Sequence, residues 1–196
     1  MAEVLLLHHV QGVTDGVVAF ADALRAGGHT VHTPDLIDGQ RPATIDAGVA
    51  LTREIGDDVL RQQATDVANT LPRGLVFAGF SLGAGLAQQL AQSRTGARGA
   101  LLYEACLPLT GDWGVGPWPA GVPIQIHGMD HDPYFAEEGD LDSARELVRT
   151  VGRELAELFV YPGDAHLFTD SSLPSYDEPA TALVLHRSRQ FLDRLD

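Results

Sequence analysis

Apolar positions along the chain follow two periods that alternate. Val4-Leu5-Leu6-Leu7 is an unbroken apolar run that ends in His8-His9. Such a run suits a central parallel strand, covered on both faces, whose tip meets solvent or a site. Residues 30–34, 74–78, 100–104, 123–127 and 157–161 read as further strands. Between them the apolar positions recur at helical spacing. Val17, Phe20, Ala21 and Leu24 share one face of a helix over 17–26, which Gly27-Gly28 ends. Residues 44–69 are helical with an interruption near Gly56. Ile45, Val49 and Thr52 fit one face, and Val59, Gln63, Val67 and Thr70 partly fit another. Residues 84–91, 142–153 and 179–195 are the remaining helices. The last turns Ala182, Leu185, Ser188 or Arg189, and Leu192 inward. Strands alternating with helices predict an α/β fold: a mostly parallel sheet of about six or more strands with helices on both faces. No repeat or composition break divides the chain, so residues 1–196 are expected to form a single domain.

Composition narrows the function. A formal charge of −14 argues against nucleic acid as a partner, because phosphate binding needs a basic surface. No apolar run approaches membrane-spanning length, and the N-terminus lacks the basic region of a signal peptide. The single cysteine, Cys106, excludes an internal disulfide framework and fits a reducing compartment. The expectation is a cytoplasmic protein without a membrane partner, either monomer or homodimer.

The chemistry concentrates at Gly79-Phe80-Ser81-Leu82-Gly83, between a buried strand and a helix. Strand, G-x-S-x-G, helix is the pattern of a nucleophile elbow. A serine hydroxyl is a poor nucleophile until it is presented to a base. A sharp turn does that, and glycines on either side of Ser81 keep Cβ atoms out of the place where strand and helix crowd. The helix that follows directs its positive end at the site. Other polar residues also terminate strands, where sites of open α/β sheets lie. Asp130 and Asp132 follow the fifth strand and His166 the sixth. The order nucleophile, acid, base is that of an α/β-hydrolase. In this scheme His166 takes the Ser81 proton, an aspartate orients the imidazole, and backbone N–H groups of Leu82 and Val10 receive the oxyanion. Asp130 and Asp132 both reach the site from the strand end. Being two apart, they face opposite ways if the strand continues.

Several other residues are candidates for the pocket. His9, Gln11, Tyr103 and Glu104 stand at strand tips beside the elbow, and Trp113 and Trp118 lie in the long loop after Cys106. His9 is expected to line the pocket and His8 to face the other side of the strand. These histidines, with His127 and His131, lack helical ligand spacing, so no metal site is predicted. The acidic run 137–142 lacks calcium-loop spacing and is expected to cap the helix after it.

The chain resembles the dienelactone hydrolase family of α/β-hydrolases over nearly its whole length. The likeness is carried by His9-Val10-Gln11-Gly12, residues 26–36, the elbow, Asp132-Pro133-Tyr134-Phe135, and Tyr161-Pro162-Gly163 to His166-Leu167-Phe168. The resemblance implies a compact hydrolase without a large lid, with no metal or organic cofactor. It favours Asp132 as the acid, because an acid-Pro-aromatic-apolar run follows the equivalent strand. It implies a small-molecule substrate: a carboxylic ester, lactone or thioester cleaved through an acyl-enzyme. Acyl transfer or peptide hydrolysis on the same residues, or a binding protein that kept the fold, are the rivals. The sequence departs from the family's type enzymes in three places. Serine replaces their cysteine, His9 stands where they carry a glutamate, and Thr169-Asp170-Ser171 replaces an arginine that holds the substrate's carboxylate. With Asp170 there and an acidic chain overall, the substrate is expected to be neutral or to carry its charge far from the scissile bond.

Overall fold

The computed structural model describes residues 1–111 and 114–195. Six strands form one parallel sheet: β1 (Glu3–Leu7), β2 (Thr30–His32), β3 (Leu75–Phe80), β4 (Gly99–Tyr103), β5 (Ile124–Met129) and β6 (Ala156–Tyr161). Their spatial order is β2-β1-β3-β4-β5-β6, with every neighbouring pair parallel. The chain runs from β1 outward to β2, then returns to place β3 on the other side of β1. The order of strands reverses there, and the crevice at a reversal is where α/β sheets bind ligands.

Alternation along each strand decides which helices cover which face. Leu5, Leu7, Phe77, Leu102 and Ile126 point to the face covered by α3 (Asp57–Thr70), α4 (Leu82–Ser93) and α5 (Asp140–Val151). Val4, Leu6, Val76, Ala78 and Leu101 point to the face covered by α1 (Asp15–Ala26) and α6 (Glu178–Asp193). The apolar runs are continuous because both faces are buried.

The break near Gly56 separates α2 (Ile45–Ile55) from α3. Gly56, with φ 93°, ends the first helix and starts the second in one residue. Such a backbone favours glycine. Two inner faces differ from the sequence expectation. In α3 the buried residues are Leu60, Ala64 and Ala68, whereas Val59 is 47% exposed. In α6 they are Ala180, Thr181, Val184, Ser188, Phe191 and Leu192, and Ala182 is exposed. Both stripes mix large apolar residues with small or polar ones such as Ala64, Ala68, Thr181 and Ser188, so neighbouring stripes compete until packing selects one. β5 also extends past His127, with Met129 paired to Tyr161. The acidic run does not cap α5 through a side chain: Gly139 holds the N-cap, and the Asp140 carboxylate instead accepts from the Cys106 N–H at 2.9 Å.

Candidate active site

The elbow is built by close approach. Ser81 has φ 49° and ψ −112°, a strained conformation for a side-chain-bearing residue. A Cβ on Gly79 would meet the Gly83 carbonyl oxygen at 2.1 Å. One on Gly83 would meet the Leu7 carbonyl oxygen at 2.3 Å. Both glycines are therefore required by space, and α4 starts pressed against the tip of β1. Leu82 opens that helix, so its N–H has no intrahelical acceptor.

Ser81, His166 and Asp132 lie in one hydrogen-bonded line. The Ser81 Oγ stands 2.9 Å from His166 Nε2, and His166 Nδ1 stands 2.7 Å from Asp132 Oδ2. The Asp132 carboxylate is fully buried, and its Oδ1 accepts from the N–H groups of Tyr134 at 2.9 Å and Phe135 at 3.2 Å. It is thus held on both oxygens. Asp130 turns away: its Oδ1 accepts from the Gly163 N–H and contacts the exposed His131 ring. Burial would depress the His166 pKa, but the Asp132 hydrogen bond and the negative charges of Glu104, Asp132 and Asp140 outweigh it and hold it above the ordinary value. Tyr134 covers the imidazole with ring centroids 4.6 Å apart.

Two cavities meet at His166 and Tyr134. The first, about 460 Å³, is lined by Ser81, Leu82, Leu86, Glu104, Leu107 and Asp140 among others. The second, about 330 Å³, is lined by Gln11, Ile45, Pro133, Leu173 and Pro174 among others. The expected pocket residues divide accordingly. Glu104 lines the first and Gln11 the second. Tyr103 lines neither; it is fully buried and its hydroxyl bonds Ser188 Oγ at 2.9 Å, because its place on β4 turns it toward α6. Trp118 packs on the apolar face under α3 to α5 and donates to the Val122 carbonyl. Trp113 lies outside the described residues. His8 is buried as a neutral ring, donating from Nδ1 to the His9 carbonyl and accepting the Leu36 N–H at Nε2. Burial lowers its pKa.

His9 lies under the site and does not line either cavity. It is buried; its Nδ1 accepts the Gln11 N–H at 3.1 Å, and its Nε2–H donates to Asp170 Oδ2 at 2.9 Å. Val10, 7% exposed, sits in the turn between these two bonds. Its carbonyl oxygen lies where a Cβ on Gly48 of α2 would stand 2.5 Å away, so that turn is packed closely from outside. Asp170 is 3% exposed and also accepts from Thr14 Oγ1 and Ser172 Oγ. Burial raises its pKa, but bonds from His9, Ser172 and Thr14 outweigh that and hold it at about 2. Asp170 therefore ties the loop after β1 to the segment after His166. It is committed internally and lines neither cavity, which removes Asp170 as a reason for expecting a neutral substrate.

Sequence reading missed Asp57, Leu60 and Arg61 of α3, Gln89 of α4, and Glu138 and Asp140 as lining of the first cavity. Nothing in their local pattern marks them: Gln89 sits two turns into the elbow helix, and the others belong to elements distant from Ser81 along the chain. Tyr134 had a signal, standing two residues after Asp132.

A family model described as the dienelactone hydrolase family matches residues 1–195. A search of the curated proteins found no match. Among solved structures, a Klebsiella pneumoniae protein assigned as a dienelactone hydrolase is 16% identical, covers 99% of this chain and 87% of its own, and has a TM-score of 0.80. The dienelactone hydrolase-like promiscuous phosphotriesterase P91, from metagenomic libraries, is 16% identical over 100% of this chain and 87% of its own, with TM-score 0.78. The Thermogutta terrifontis esterase Est2 is 18% identical over 99% and 83%, with TM-score 0.63. At these identities the solved structures speak for the α/β-hydrolase fold alone. Among the described residues, no helix is long and apolar enough to cross a membrane.

Proposed function

The chain belongs to the dienelactone hydrolase family of ester-hydrolysing enzymes, and from that premise we propose that it is a serine hydrolase of small carboxylic esters, lactones or thioesters. The observation that carries this is the line Ser81 Oγ to His166 Nε2 to Asp132 Oδ2, at 2.9 and 2.7 Å. Its geometry suits proton transfer from hydroxyl to imidazole.

The reaction runs in two halves. Ser81 Oγ attacks the carbonyl carbon while its proton passes to His166 Nε2. Asp132, fixed by two backbone N–H groups, supports the imidazolium through Nδ1. The oxyanion is received by the N–H groups of Leu82 and Val10, which follow the paired strands β3 and β1. His166 returns the proton to the leaving alcohol or thiol, and an acyl-Ser81 ester results. Water, activated by the same histidine, then releases the acid. The two cavities on either side of His166 hold the acyl and leaving parts. No step calls for a metal or organic cofactor.

A fluorophosphonate probe tests this. Wild-type protein should be labelled at Ser81, and Ser81→Ala should not. A folded wild type that stays unlabelled and inert toward p-nitrophenyl esters and thioesters would overturn the reading.

A further inference from the structure

The first cavity is acidic, and one of its carboxyls is short of a partner. Asp57, Glu104, Glu138 and Asp140 line it, against a single guanidinium, Arg61. Arg61 is already paired with Asp58 on its own helix. Glu104 is 1% exposed and is set at the end of β4 by a left-handed backbone, φ 65°. Its Oε1 accepts from the Thr169 hydroxyl at 3.0 Å and the Thr169 N–H at 3.3 Å. Its Oε2 has no hydrogen-bond partner among the described residues. A buried carboxyl oxygen without a donor is costly, and a catalytic role, a water or a bound cation are reasons to keep one.

The neighbours sharpen the requirement. Asp140 accepts a hydrogen bond from the Cys106 N–H through Oδ2. Burial pushes Glu104 up to about 7 and Asp140 up to about 6, outweighing their hydrogen bonds and the attraction of His166. Ser81 and His166 line the same cavity, which places this acidic wall beside the scissile bond. An anionic substrate would meet repulsion there. A group with several N–H donors and a positive charge would satisfy Glu104 Oε2 and draw both carboxyls into their ionised form.

We propose that the cavity beside Ser81 seats a protonated amine of the substrate on Glu104 and Asp140, so that the enzyme selects esters, lactones or thioesters whose acyl or alcohol part carries an ammonium group. This rests on Ser81 being the nucleophile. It reverses the charge preference of the family's type enzymes, which hold a carboxylate with arginines. Glu104 and Asp140 are specificity residues here; neither takes part in proton transfer at the ester.

The test is a comparison of kcat/KM across two matched ester series, one varied on the acyl side and one on the alcohol side. Each series ends in ammonium, hydroxyl, methyl or carboxylate. In at least one series the ammonium ester should exceed its methyl isostere by about 10-fold or more, with the carboxylate slowest. Glu104→Gln should reduce the ammonium-to-methyl ratio, Asp140→Asn should reduce it in the same direction, and Glu104→Asp should keep part of it. Circular dichroism checks that each variant folds, and the more accessible Asp140 carries the test if Glu104→Gln does not fold. Absence of an ammonium preference in both series overturns the proposal, as does a preference undiminished in every folded variant. A hydroxyl ester matching the ammonium ester would reassign the site to a neutral donor. If Ser81 is labelled by fluorophosphonate and neutral esters turn over without charge preference, this inference alone fails. If Ser81 is unlabelled and no ester is hydrolysed, the serine-hydrolase reading fails first and takes this one with it.

Discussion

At the scale of single residues, the Ser81–His166–Asp132 line makes opposed demands on each member. In the proposed mechanism Ser81 is the nucleophile, and its hydroxyl is activated only through His166. Ser81→Ala should therefore fold and lose on the order of 10³-fold or more in turnover. Steady-state rates on a p-nitrophenyl ester decide it, and near-normal turnover would remove the mechanism. The two aspartates separate in the same assay. Asp132→Asn keeps shape but loses the charge behind the imidazolium, at a cost of about 10⁴ in turnover. Asp130→Asn keeps an acceptor for the Gly163 N–H and removes only an exposed charge, so it should stay within about 3-fold of wild type, as surface changes usually do. The reverse ranking in folded variants would exchange their roles. The histidine also sets a pH limit. Its pKa is raised, with burial opposing and Asp132, Glu104 and Asp140 prevailing. A raised pKa keeps His166 protonated over a wider range, and a protonated His166 cannot accept the serine proton. kcat/KM should thus fall on acidification with a midpoint above the ordinary histidine value. A midpoint below that value would contradict the electrostatics described.

At the scale of elements, the elbow works because α4 starts where β1 and β3 end. Gly83 touches the backbone of β1: an added Cβ would meet the Leu7 oxygen at 2.3 Å and the His8 oxygen at 2.6 Å. Neither atom can rotate away. Gly83→Ala should force α4 off β1, cost about 1–3 kcal/mol in the way of overpacked cores, and spoil the approach of the Leu82 and Val10 N–H groups. Gly85, two residues along the same helix, is the contrast. Its added Cβ would meet only the Leu107 side chain, at 3.5 Å. Gly85→Ala should leave stability unchanged or raise it by up to about 1 kcal/mol, the usual helix preference for alanine. Thermal melts of the pair measure this, and equal effects would mean that the helix start is not so tightly held.

At the scale of the whole molecule, Asp170 joins two segments far apart in sequence. His9 and Thr14 reach it from the loop after β1, and Ser172 from the segment after His166. Its folded pKa of about 2 lies below the ordinary 3.8. A depressed carboxylate pKa contributes stability that is present above the unfolded value and disappears as pH falls through the folded one. Asp170→Asn should therefore cost about 2 kcal/mol near neutral pH. The wild type should lose that increment between about pH 4 and pH 2, and the variant should not. Urea midpoints measured across that range provide the check. On the proposed mechanism activity should fall as well, since the turn that carries Val10 hangs on this network.

The sequence by itself determined the succession of strands and helices, the elbow, and the order of serine, acid and histidine. Those features are local, because apolar period and turn chemistry act between near neighbours. Only the tertiary structure decided what those side chains meet. Asp132 and Asp130 look alike along the chain, and the choice between them depends on His166, 34 residues from Asp132 and 85 from Ser81. Asp170 reads as a charge facing the substrate until His9, 161 residues away, is seen beside it. Tyr103 and Glu104 are neighbours on one strand tip, yet one closes against α6 and the other lines the cavity. The inner faces of α3 and α6 were ambiguous for the same reason. Spacing restricts which stripe can be buried, but only the opposing surface selects one. Burial, partner and charge at each site residue are properties of contacts between distant segments, and those exist only once the sheet has assembled.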